Sequence, residues 1–289
     1  MRILVCGSNG QLGSEINELA SLYSNLEFVF SDLPELDICN KAKLSQFVSN
    51  NQINGIINCA AYTAVDKAEN DIETAELVNA AAVGNLVSLT EEQNLKLIHI
   101  STDYVFDGTA HLPYAEDFEV SPIGIYGKSK REGEEYVINS ESESIVIRTS
   151  WLYSSFGNNF VKTMLRLGAE RDELGVIFDQ VGTPTYARDL AKSCLEILVS
   201  SEKLDSRGKV YHFSNEGVAS WYDFAKAIME MGNLNCKMNP IETKNYPTPA
   251  KRPHYSVMNK SKIKADFGVK IPYWRNSLKE CIDILKTKV

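Results

Sequence analysis

Short apolar runs alternate with longer amphipathic stretches through the first half of the chain. Arg2 to Gly7, Leu26 to Phe30, Gly55 to Cys59, Lys96 to Ser101 and Ser144 to Thr149 each read as a buried strand. Between them, Gln11 to Tyr23, Lys41 to Asn50, Asp71 to Gln93 and Tyr126 to Asn139 repeat apolar residues at helical spacing. Apolar strands separated by helices predict an α/β fold with a parallel sheet covered on both faces. After Ser150 the elements shorten and become aromatic and proline-punctuated: helices Arg188 to Val199 and Trp221 to Met231, strands Val176 to Phe178 and Lys209 to Ser214, an irregular Tyr246 to Pro253, and two terminal helices. This predicts a first domain at 1–150 and a smaller, partly interleaved domain at 151–289, with about 172–188 returning to the first.

The first strand runs directly into Gly7-Ser-Asn-Gly10-Gln11-Leu12-Gly13 and a helix. Strand, glycine turn and helix in that order let helix N-terminal N–H groups meet a pyrophosphate, so a Rossmann-type doubly wound sheet binding a dinucleotide is expected. The glycines are spaced G-x-x-G-x-x-G, which meets the usual fingerprint only approximately. Asp32, about 20 residues past the loop, is placed to hydrogen-bond ribose hydroxyls, and Asp37 and Ile38 follow as flanks for an adenine. Ala61, Tyr62 and Thr63 end the third strand, where small residues leave room for a flat cofactor. No basic residue stands beside Asn9 or Asp32 to receive a 2′-phosphate, so charge alone favours NADH over NADPH.

Ser101-Thr102-Asp103 ends the fourth strand, and Tyr126-Gly-Lys-Ser-Lys130 opens the helix after it. Tyr126 and Lys130, one helical turn apart, put an ammonium near a phenol, which would favour phenolate and ease proton release. Thr102 offers a hydroxyl to hold a substrate oxygen while the proton moves. With 13 Tyr and 30 Lys+Arg in the chain, about one Tyr-x-x-x-(Lys/Arg) arises by chance, so context must decide.

The bulk numbers narrow the class. The chain has 289 residues, 44% of them hydrophobic, enough for a large core, and a net charge of −8 that disfavours nucleic acid or an anionic membrane as partner. No secretory leader and no run of ~20 apolar residues is found, so a cytoplasmic protein is expected. The six cysteines lack C-x-x-C pairing and are expected as reduced thiols; the four histidines lack ligand spacing, and His99 reads as a sheet residue.

Further motifs join this set: Ala61-Tyr-Thr-Ala-Val-Asp-Lys-Ala-Glu69, Ser101-Thr-Asp-Tyr-Val-Phe-Asp-Gly108, Arg148-Thr-Ser-Trp151, Gly157-Asn-Asn-Phe-Val-Lys-Thr-Met-Leu165, Asp179-Gln-Val-Gly-Thr-Pro-Thr185 and Tyr246-Pro-Thr-Pro-Ala-Lys-Arg-Pro253. Together they resemble the extended short-chain dehydrogenase/reductase superfamily and, within it, the dTDP-4-dehydrorhamnose reductase family, over nearly the whole chain. The resemblance implies hydride transfer from NADPH or NADH to carbon 4 of a dTDP-linked keto-sugar, with Tyr126 as proton donor. It implies that Lys130 holds the nicotinamide ribose and depresses the Tyr126 pKa, and that Thr102 orients the carbonyl. Asp103 and Trp151 match positions lining the sugar site, and Lys251 and Arg252 are candidates for the substrate diphosphate. The resemblance further implies a homodimer. Some relatives dimerise around Mg²⁺ held by glutamates, where Glu15 is one candidate, but Arg188 stands where a second carboxylate is wanted and no metal is assigned. Two readings stay open beside this one: a reductase or epimerase of another nucleotide-sugar, and a non-catalytic relative of the regulatory subunit of methionine adenosyltransferase.

Overall fold

The computed structural model describes residues 1–200 and 207–287. In chain order β1 (Arg2–Cys6), α1 (Gln11–Leu19), β2 (Glu27–Ser31), α2 (Lys41–Asn50) and β3 (Gly55–Asn58) are followed by α3 (Val65–Ala68), α4 (Ile72–Glu76) and α5 (Ala82–Gln93), the last two joined by a π-turn at Leu77–Ala81. Next come β4 (Lys96–Thr102), α6 (Ile125–Ile138) and β5 (Ser144–Thr149). The strands pair in parallel in the order β5-β4-β3-β1-β2, so β1 lies between β2 and β3, with Val5 opposite both Phe30 and Ile57. Side chains alternate across β1: Ile3 and Val5 enter the core under α1, while Leu4 and Cys6 enter the one under α2 and α5. Both faces are therefore buried, which is why the strands read as unbroken apolar runs.

The second half begins with β6 (Leu152–Tyr153), α7 (Phe160–Glu170), β7 (Glu173–Ile177), β8 (Val181–Gly182) and β9 (Thr185–Tyr186). Then follow α8 (Ala187–Ser200), β10 (Lys209–His212), β11 (Ala219–Ser220), α9 (Trp221–Gly232), β12 (Lys237–Ile241), α10 (Ser261–Phe267) and α11 (Trp274–Thr287). The return to the first unit comes later than the expected 172–188. Strands β7, β8 and β9 pair with β12, β11 and β6, whereas α8 packs on α1 and β10 joins the central sheet beside β5 as its sixth strand. The cause is burial: Leu190, Cys194, Leu195 and Leu198 of α8 complete the core begun by Leu12, Ile16 and Leu19. A separate core of Val161, Met164, Phe224, Ile228 and Leu278 holds α7, α9 and α11 together. Ser220 and Asp223 close a capping box at the start of α9. All six cysteines are free thiols, and no helix among the described residues is long and apolar enough to cross a membrane.

Candidate active site

The carboxyl ends of β1, β3, β4 and β5 open onto a cavity of about 560 Å³, closed from the other side by Trp151, Leu152, Gly157, Asn158 and Asn159. Parallel sheets bind ligands at this end because the connecting loops part there.

The glycine turn forms one wall. Gly7 has φ +70°, and a Cβ on it would lie 2.6 Å from the Ala60 nitrogen; one on Gly13 would lie 2.5 Å from the Gly7 carbonyl oxygen. These two glycines are thus required by the chain's own packing. Gly10 is different: the nearest atom to its Cβ position is 3.3 Å away, and it lines the cavity with Gln11 and Leu12 where α1 begins without any side-chain cap. An uncapped helix start facing a cavity, with no side chain on Gly10 to fill it, fits the pyrophosphate of a dinucleotide. Asp32 lines an adjoining recess of about 360 Å³ with Asn9, accepting the Asn9 and Leu33 backbone N–H groups at 3.0 and 2.8 Å. Ala61 and Thr63 line the main cavity. Tyr62, Asp37 and Ile38 do not: the Tyr62 hydroxyl donates to Asp71 at 2.9 Å, Asp37 folds back on the Cys39 N–H at 2.9 Å, and Ile38 is buried in the core.

Thr102, Asp103, Tyr126 and Lys130 all face the main cavity. The Thr102 hydroxyl donates to Asp103 Oδ1 at 3.0 Å, accepts the Tyr104 N–H at 3.2 Å and meets the Tyr126 phenol. The expected acidification of Tyr126 by Lys130 is not what this structure shows. Burial first, and then the Asp103 charge, push the phenol up to about 12 against the Thr102 hydrogen bond. The Lys130 amine donates to the Ile100 carbonyl at 2.7 Å and lies 3.2 Å from His99 Nε2; burial lowers its pKa to about 8, against the pull of Glu134. Asp103 is pushed up to about 6, also by burial.

Trp151 enters the cavity at φ +49°, left-handed backbone that costs a non-glycine residue about 1–3 kcal/mol. Its indole stacks on Trp221 with centroids 3.7 Å apart, and Gly182 lies against its other contacts so closely that a Cβ would come within 2.9 Å of the ring. Trp221 leads into a second cavity of about 640 Å³ that includes Tyr246, Thr248, Arg171 and Arg252. Arg252, the diphosphate candidate, forks its guanidinium onto Asp66 at 2.7 and 3.1 Å, so a diphosphate would have to compete with that carboxylate for it. Lys251 is exposed and lines neither cavity. Glu15 is fully buried, accepting from Ser154 Oγ at 2.6 Å and from Arg188 at 3.2 Å, so its carboxylate is already held by a hydroxyl and a cation.

Several residues that sequence reasoning passed over stand in the site. Tyr104 meets the Tyr126 ring edge-on at 5.4 Å, and Asn159 donates to Gln11 Oε1 at 2.9 Å, joining the two walls of the cavity. Both sit inside the quoted motifs, which was the available signal. His99 is a sheet residue as expected, but its ring is also in contact with Lys130.

A family model described as the RmlD substrate binding domain matches residues 1–287. A dTDP-4-dehydrorhamnose reductase of Aggregatibacter actinomycetemcomitans is 41% identical over 288 residues, covering 96% of this chain and 97% of its own. The crystal structure of a dTDP-4-dehydrorhamnose reductase from Clostridium acetobutylicum is 42% identical with a TM-score of 0.94, covering 99% of this chain and 100% of that one. One from Bacillus anthracis, in complex with NADP, is 37% identical with a TM-score of 0.92, covering 98% and 99%.

Proposed function

The chain belongs to the RmlD substrate binding domain family, and from that membership we infer that it is an NAD(P)H-dependent oxidoreductase of a nucleotide-sugar, reducing the 4-keto group of dTDP-4-dehydro-L-rhamnose to give dTDP-L-rhamnose. The gathering of Thr102, Tyr126 and Lys130 around one cavity, beside the uncapped start of α1, supports this reading most. Gly10, Gln11 and Leu12 would hold the cofactor's pyrophosphate, Asp32 its adenosine ribose, and the Lys130 ammonium its nicotinamide ribose. When bound, the reduced nicotinamide supplies the hydride.

Tyr126 gives the proton. With its pKa pushed up to about 12, the phenol is protonated at neutral pH and so carries the proton that the alkoxide forming on carbon 4 takes up. Thr102, turning its hydroxyl from Asp103, would donate to the carbonyl oxygen, the Trp151 indole offers a flat face to the sugar, and the Asp103 carboxylate so released would accept from a sugar hydroxyl. The neighbouring cavity with Trp221 and Arg252 would take the nucleotide, its diphosphate drawing Arg252 from Asp66. We assign the protein to the cytoplasm, a reducing compartment in keeping with six free thiols, and expect it to act as a homodimer. The test is to supply dTDP-4-dehydro-L-rhamnose with each reduced cofactor and follow the nicotinamide absorbance. Stoichiometric loss supports a reductase; no net loss favours an epimerase or a non-catalytic protein.

A further inference from the structure

Asn58 and His99 are register partners on β3 and β4, so their side chains share one face of the sheet, and both are fully buried. Asn58 Nδ2 lies 3.1 Å from His99 Nδ1, and His99 Nε2 lies 3.2 Å from the Lys130 amine. The proton inventory of this chain is constrained at its far end. The Asn58 amide oxygen already accepts the Ala60 N–H at 3.1 Å, so the amide turns its NH₂ toward the imidazole. His99 Nδ1 must then be the acceptor, and a neutral ring that accepts at Nδ1 carries its proton on Nε2. That proton points at Lys130. An ammonium facing an N–H meets a like dipole, whereas a neutral amine can accept from it. For the ammonium form the acceptor shown is the Ile100 carbonyl at 2.7 Å.

We propose that His99, locked in its Nε2–H tautomer by Asn58, is a positioning residue for Lys130 that loosens the amine's hold on its proton and so sets the alkaline limit of turnover. The low pKa of His99, driven by burial and by Lys130, keeps the ring neutral throughout the working range. Burial lowers the Lys130 pKa and Glu134 opposes it; the His99 N–H acts on the amine in addition to that burial. The other titratable or charged groups that share the cavity wall with Lys130 or act on its amine are Tyr126 and Glu134 on its own helix, Asp103 and Tyr104 after β4, and Cys59 after β3; Glu134 is itself paired with Arg148 of β5 at 2.7 Å. None of these presents a fixed N–H to the amine as His99 does.

The catalytic consequence rests on the reductase reading, but the tautomer does not, so two measurements separate them. In the nitrogen-15 spectrum of the wild-type protein labelled at histidine, His99 should show a protonated Nε2 and a bare Nδ1; a protonated Nδ1 overturns the proposal whatever the enzyme turns over. In the pH profile of kcat/KM for the keto-sugar, His99→Phe should move the alkaline limb up by about one pH unit, because a repelling N–H is lost. A downward move or an unmoved limb, with only a lower plateau, overturns it. Asn58→Asp, which can accept from Nδ1–H and reverse the tautomer, should shift the limb in the same upward direction and exchange the two ring-nitrogen signals. Unexchanged signals in that variant count against the lock.

Discussion

Arg252 grips Asp66 in a two-point ion pair, Nη2 to Oδ2 at 2.7 Å and Nη1 to Oδ1 at 3.1 Å, tying the proline-rich loop to α3 after β3. A diphosphate that uses this guanidinium must draw it from the carboxylate. Arg252→Ala should raise KM for the nucleotide-sugar about tenfold or more, given the ~1.5–3 kcal/mol of a charged hydrogen bond. Asp66→Asn, which removes the competitor, should leave KM within about threefold or lower it. Equal increases in both variants would make the pair a clamp between lobes with no part in phosphate binding.

The same pair sets a pH dependence. The Arg252 hydrogen bond holds the Asp66 carboxyl below its ordinary value of 3.8. Its stabilisation is therefore present above that value and lost as pH falls through the lower folded one. Because both side chains are partly exposed, the effect should stay under about 1 kcal/mol. Acid-melting curves of wild type and Asp66→Asn should converge at low pH; curves that stay parallel would contradict this.

Asp32 accepts two backbone N–H groups, and on the proposed cofactor placement its charge would face a 2′-phosphate. Asp32→Ser removes the negative charge and should raise kcat/KM for NADPH relative to NADH by about tenfold. An unchanged ratio would take Asp32 out of cofactor selection.

Lys130 carries a folded pKa of about 8 against an ordinary 10.5. The native state binds fewer protons between those values, so the cost of burying the ammonium is full below pH 8 and is relieved as pH rises toward 10.5. Lys130→Met should abolish turnover yet raise the unfolding free energy at pH 7 by at most about 3 kcal/mol, read as a higher melting temperature, with the gain shrinking at pH 10. A destabilised variant, or a gain that ignores pH, would contradict the burial account.

Trp221 braces Trp151 by stacking at 3.7 Å and lines the second cavity. Trp221→Ala should raise KM for the nucleotide-sugar severalfold while leaving KM for the reduced cofactor unchanged; a matching rise in both would place the defect in folding.

The sheet was legible because β1 to β5 are apolar on both faces and punctuated by helices of clear period. The pairs β6, β8, β9 and β11 were not, since a two-residue strand carries no period, and Pro240 hid β12. Lys209 to Ser214 reads as a strand in the sequence, yet nothing in it says that its partner is β5 rather than a strand of the second lobe. In the site, helical spacing told that Tyr126 and Lys130 share a face. It could not tell that the amine turns to Ile100 and His99, nor that desolvation would outweigh charge at the phenol. Arg252 showed its chemistry in the sequence but not its partner, which lies 186 residues away.

The most direct test is the rate of nicotinamide oxidation by Tyr126→Phe against wild type, at saturating dTDP-4-dehydro-L-rhamnose and reduced cofactor. With Tyr126 as the proton donor, kcat should fall about 10²–10⁴-fold while cofactor binding, read by titration, stays near wild type. An undiminished kcat in Tyr126→Phe would contradict the account.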